Sequence, residues 1–132
     1  TKYKYGIAIP EYTEIGPGLF INRFGGIMIN GDARIGQNCN LSSRITIGQS
    51  NRGERFGSSI IGDRVYSASG ARVIGSVKIG DEALIGVNSV VVRDVPAKSV
   101  VGGIPALIIS DEGTTGYVNR TWEEEDEPLR LL

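Results

Sequence analysis

A six-residue metre constrains this chain more than any other feature. Ile61, Ser67, Val73, Ile79, Ile85 and Val91 are evenly spaced, and Gly62, Gly80 and Gly86 each follow a branched residue. Four positions further on comes a compact residue each time: Val65, Ala71, Val77, Ala83, Ser89 and Val95. Ile29, Ile35, Leu41 and Ile47 repeat the rule earlier, with Ala33, Cys39 and Ile45 on the compact track. Ile9, Ile15 and Ile21 precede them, joined by a longer step that contains Gly25 and Gly26. Such a metre predicts an all-β, single-stranded parallel β-helix of about 18 residues per turn, with three flat sides. The branched residue points inward and stacks on its equivalents above and below. The compact residue fits near the corner, where glycine permits backbone angles that other residues resist. Hydrogen bonds run between successive coils, so each coil satisfies the next.

Two segments break the metre. Residues 49–59, QSNRGERFGSS, carry Arg52, Glu54 and Arg55 around two glycines and are expected to leave one corner as an excursion loop. Inserted loops on repeat proteins often line the binding face, which makes Arg55 a candidate for holding a substrate. The tail differs again, with TWEEEDE followed by Pro128 and LRLL. This divides the chain into a repeat domain over 1–110 and an acidic tail over 111–132. The acidic run reads as a solvated face. Trp122, Leu129, Leu131 and Leu132 could dock on the side or end of the coil and cover an exposed strand edge.

Composition narrows the function classes. The chain has 132 residues and a formal net charge of −1 with no basic cluster, so nothing favours nucleic acid or anionic lipid. No apolar run approaches the roughly 20 residues of a membrane span, and no signal peptide is visible. The single cysteine, Cys39, excludes an internal disulfide, fits a reducing cytoplasm, and reads as a core filler on the compact track. A start at Thr1 reads as a fragment or a processed chain. No metal-binding set is expected.

With the repeats in place, the chain resembles the hexapeptide-repeat acyltransferases, most closely the serine acetyltransferases and the sugar O-acetyltransferases of capsule and polysaccharide synthesis. The resemblance runs from about Lys4 to Ser110. It rests on GIAIPEYTEIGPGLFI, on GGIMINGDARIGQNCNL followed by TIGQ, on IIGDRV, and on IGVNSVVVRDVPAKSVVGGIPA. It implies a left-handed coil, a homotrimer, acetyl-CoA as donor and a small-molecule hydroxyl as acceptor. It also implies an active site in the groove between subunits, where a histidine acts as general base and an aspartate orients it.

Aligned on GLFI, that histidine position falls on Arg23, and Asn22 replaces the aspartate that often precedes it. The orienting aspartate falls on Ala8. Ser43 and Arg44 stand where some relatives have a second histidine, and Ser58 and Ser59 replace a histidine–proline pair. Leu107 stands where a basic residue commonly follows the terminal proline–alanine. The chain contains no histidine at all. A guanidinium stays protonated and has no basic lone pair, so Arg23 cannot serve as the base. Arg23 could bind an anion, form an intersubunit ion pair with Glu11, Glu14 or Asp32, or be a substitution in an otherwise ordinary enzyme. By the same resemblance, the backbone at Ser69 and Val87 would hold the pantetheine arm, with Arg93 and Lys98 meeting phosphates. Three functions stay open: an O-acetyltransferase working through water, Ser43 or Tyr12; an inactive pseudoenzyme that binds a ligand; and a structural trimer subunit.

Overall fold

A computed structural model describes residues 7–21, 25–50 and 57–114. The chain winds as a coil of short strands. The first turn carries β1 (Ile7–Ala8), β2 (Glu14–Ile15) and β3 (Phe20–Ile21), and the second β4 (Ile27–Ile29), β5 (Arg34–Ile35) and β6 (Asn40–Leu41). The third carries β7 (Thr46–Gly48), β8 (Ile60–Ile61) and β9 (Tyr66–Ser67), and the fourth β10 (Arg72–Ile74), β11 (Lys78–Ile79) and β12 (Leu84–Ile85). A last turn brings β13 (Val90–Val91) and β14 (Val100–Gly103), and β15 (Ala106–Ser110) then folds back.

These strands stack into three parallel sheets, one per face. Face one is β1-β4-β7-β10-β13, face two is β2-β5-β8-β11, and face three is β3-β6-β9-β12-β14. Among the described strands, only β15 runs antiparallel, along β14. Between described turns the register keeps inward residues aligned: Ile15 lies opposite Ile35, Ile35 opposite Ile61, and Val73 opposite Val91. Every residue of the six-residue metre from Ile29 to Val91 is buried, as is the compact track from Ala33 to Val95. Ser67 takes an inward position opposite Leu41 and Ile85 and is buried there too. Only the first turn is less enclosed, with Ile7, Ile9, Ile15 and Ile21 half-buried against the core.

The glycines after the branched residues do a different job from the expected one. None of Gly16, Gly36, Gly62, Gly80 and Gly86 has a positive φ. A Cβ on Gly16 would lie 2.7 Å from Gln37 N, one on Gly62 2.9 Å from Asp81 N, and one on Gly80 would run into Ala97 N. Glycine is therefore needed where one coil passes close over the next. The left-handed angles fall two positions later, on Asn38 (φ 59°), Arg64 (56°), Glu82 (60°) and Lys98 (62°). An L-residue pays roughly 1–2 kcal/mol for that conformation. Interlocked turns offset it: Asn38 N donates to Pro17 O (2.8 Å), Arg64 N to Gln37 O (2.9 Å), Glu82 N to Asp63 O (2.8 Å) and Lys98 N to Asp81 O (2.9 Å).

The excursion leaves the corner between faces one and two. Ser50 and Gly57 exchange backbone hydrogen bonds of 3.0 and 2.9 Å at its base. Arg55 lies outside the described residues. Ser59, which lacked an obvious place in the metre, belongs to the coil: it is fully buried on the compact track, and its hydroxyl donates to Gly75 O at 2.8 Å. A serine fits there because a backbone acceptor lies within reach.

Candidate active site

The corner between faces three and one carries the first half of the candidate site. Its turns stack as Ser43–Arg44, Ser69–Gly70 and Val87–Asn88. Gly70 N donates to Ser43 O and Asn88 N to Ser69 O, both at 2.9 Å, while Ser43 Oγ donates to Ser69 Oγ at 3.3 Å. The second residue of each turn has a left-handed backbone: Arg44 at 55°, Gly70 at 78°, Asn88 at 56°. Its amide is spent on the coil before. Among the described residues, the amides of the first residues, Ser69 and Val87, take no part in this backbone ladder. Small side chains therefore leave a strip of backbone reachable along this edge, with successive coils about 4.8 Å apart. Gly25 meets the same corner, where its O accepts from Arg44 N at 2.9 Å. Asn22 and Arg23 themselves lie outside the described residues.

Face one carries the second half. A shallow trough of about 270 Å³ runs across it, lined by Ala8, Pro10, Met28, Asn30, Thr46 and Ile47 among others. Met28 is the outward residue of β4, between the buried Ile27 and Ile29, and stands beside Ala8 in the register. No charged side chain lines this trough among the described residues. At its far end, Asn30 accepts from Ser58 Oγ (2.6 Å) and Asp32 N (2.9 Å) through Oδ1 and donates to Gln49 Oε1 (3.2 Å). Ser58, where the sequence resemblance implies a histidine, is thus a neutral hydroxyl bonded to Asn30.

Ser43, Ser69 and Val87 share one edge. Arg93 follows face one at the opposite corner, and Lys98 lies at the corner between faces two and three, so neither is on that edge. Glu14, a suggested partner of Arg23, pairs with Arg34 at 3.1 Å on the outside of face two. Cys39 is buried, donates to Gly62 O at 3.1 Å, and has its pKa raised to about 11, chiefly because burial penalises the thiolate. That is the behaviour of an inert packing residue. Sequence reasoning overlooked Met28 and the Asn30–Ser58 link. The alternation in IMI marks Met28 as outward, whereas the link joins residues 28 apart across the excursion and leaves no local signal.

No family model matches the chain. A serine acetyltransferase of Staphylococcus xylosus is 36% identical over 130 residues, which is 97% of this chain and 58% of that protein. The chain belongs to the hexapeptide-repeat acyltransferase family. Among solved structures, the serine acetyltransferase of Neisseria gonorrhoeae in complex with serine matches with a TM-score of 0.72 and 34% identity, over 77% of this chain and 42% of that one. The Brucella abortus serine acetyltransferase in complex with coenzyme A matches with a TM-score of 0.73 and 27% identity, over 80% and 42%. This acyltransferase coil is left-handed, as the sequence resemblance implies. The chain spans less than two thirds of the length of the relatives it matches.

Proposed function

We propose that this chain is an acetyl-CoA-binding O-acetyltransferase scaffold that lacks a general base and takes a neutral hydroxyl acceptor. The observation that carries the reading is the Ser43–Ser69–Val87 edge, whose accessible backbone suits the two amides of a pantetheine arm. A relative of the same fold is in complex with coenzyme A. Arg93 and Lys98 lie off this edge, so in a homotrimer they would meet the phosphates of a ligand bound on a neighbouring copy. The acceptor would enter from face one, with Asn22, Arg23 and Arg55 around it.

The trough speaks against an amino-acid zwitterion as acceptor. With alanine at position 8 and methionine at 28, no carboxylate among the described residues lines it to receive an ammonium group. A sugar ring, which presents C–H faces and neutral hydroxyls, suits it better. Transfer would be slow, because general-base catalysis contributes about 10²–10⁴-fold. Water would take the proton as the CoA thiolate leaves and is protonated from solvent, with Ser43 or Tyr12 able only to relay it as neutral hydroxyls. Comparing acetyl transfer to serine and to neutral methyl glycosides tests this: the glycosides are expected to be preferred, and a preference for serine would sink the neutral-acceptor reading.

A second reading is favoured by the absence of histidine from the whole sequence. In it the chain is a cytoplasmic, non-catalytic trimer subunit that retains ligand binding. Saturable acetyl-CoA binding with no transfer to any acceptor would decide for it.

A further inference from the structure

The corner between faces one and two carries an aromatic ring that core packing does not account for. Tyr12 is 72% exposed, yet it is seated. Thr13 N donates to Pro10 O at 3.1 Å, which closes its turn, and the far end of its ring lies against Gly31 of the next coil. Gly31 is buried and has no positive φ, so its own backbone does not demand glycine. The ring does: a Cβ on Gly31 would run into Tyr12 Cε2, Cζ and Oη. A ring held this way buries little area and adds little to the fold. It does offer a fixed apolar surface with a hydroxyl at its end.

Gly31, and with it the end of the Tyr12 ring, stands between two depressions. Asn30 on one side lines the face-one trough. Asp32 on the other lines a hollow of about 380 Å³ on face two, together with Arg34, Gln49, Ser58 and the half-exposed Ile60. The hollow does not suit an anion. Arg34 pairs with Glu14 and donates to Asp32 O (3.0 Å) and Ala33 O (3.2 Å), while Asp32 adds a carboxylate. Asn30 Oδ1 accepts from both Ser58 Oγ and Asp32 N, which fixes Ser58 with its oxygen still able to accept. Apolar surface beside a few placed acceptors suits the C–H face and hydroxyls of a neutral sugar. Two depressions meeting at one ridge suit two linked rings.

We propose that this corner is a second sugar subsite. One ring of a neutral glycan enters the face-one trough, and the ring linked to it stacks on Tyr12 with its hydroxyls on Asp32 and Ser58. The assignment rests on the neutral-acceptor reading and extends it from a single sugar to a chain of two or more. It does not depend on the transfer step.

Calorimetric titration of the full-length chain with methyl glucosides, galactosides and mannosides, and with the corresponding methyl disaccharides, tests it without acetyl-CoA. At least one disaccharide should bind about tenfold more tightly than its monosaccharide, the scale expected of an added stacking contact. Tyr12→Ala should remove that advantage and leave monosaccharide affinity within about twofold. Tyr12→Phe keeps the ring and should retain the advantage. Gly31→Ala displaces the ring and should lose it with the tyrosine still present. The subsite is overturned if no disaccharide binds more tightly than its monosaccharide, or if the advantage survives Tyr12→Ala. The neutral-acceptor reading fails separately, through a preference for serine in the transfer assay. Preferred transfer to glycosides with no disaccharide advantage would therefore overturn the subsite alone.

Discussion

The two halves of the candidate site are built from different materials. The corner at Ser43, Ser69 and Val87 works through backbone, and its geometry is fixed by the same turn bonds that hold the coil together. The face at Ala8 and Met28 works through side chains that project outward from strands, with Asn30 and Ser58 hydrogen-bonded in the turns beside it. A chain can therefore exchange its acceptor-side chemistry at little cost to the fold, while the donor edge survives for as long as the coil does.

Rebuilding the changed half gives the largest expected effect. Arg23→His together with Ala8→Asp should raise acetyl transfer by about 10²–10⁴-fold, the usual worth of a positioned general base. No gain, with the fold intact and acetyl-CoA bound, would mean that the donor edge is not part of a dormant enzyme.

Cys39 tests whether the core behind the site is inert. Its folded pKa of about 11 lies above the ordinary 9.0, so the folded state holds the proton more tightly. The contribution is present below pH 9 and is lost as pH rises through 9 to 11. Over that window the native chain should lose on the order of 2 kcal/mol more stability than Cys39→Ala, measured by urea unfolding. At pH 8 the native thiol should resist alkylation. Rapid alkylation would place Cys39 on an accessible surface and contradict an inert core.

Two substitutions one residue apart sharpen the comparison at smaller scale. Gly70 has φ 78°, and a Cβ there would run into Asn88 Oδ1 of the next turn. Gly70→Ala should weaken acetyl-CoA binding about tenfold, since alanine at a positive φ costs more than about 1 kcal/mol. Ser69→Ala keeps the backbone and should change affinity less than about twofold. Equal losses would show that the edge recognises its ligand through side chains.

Much of the fold was legible in the sequence because the repeat writes the same physical demand many times. Ile35, Ile61 and Ile79 occupy equivalent positions, and one rule places all three. Ser59 escaped because its burial depends on Gly75 O, an acceptor sixteen residues away. The glycines were found, but their role was not: Gly16 and Gly62 are needed for contact with Gln37 and Asp81 on the next coil, which no local reading shows. On the site, Ala8 and Ser58 stood out only against the resemblance. Met28 became meaningful once the register set it beside Ala8.

Titration calorimetry of acetyl-CoA into the full-length chain tests the central claim most directly. The surviving donor edge predicts saturable binding that Arg23→His leaves unchanged and Gly70→Ala weakens. No heat at millimolar ligand would contradict it.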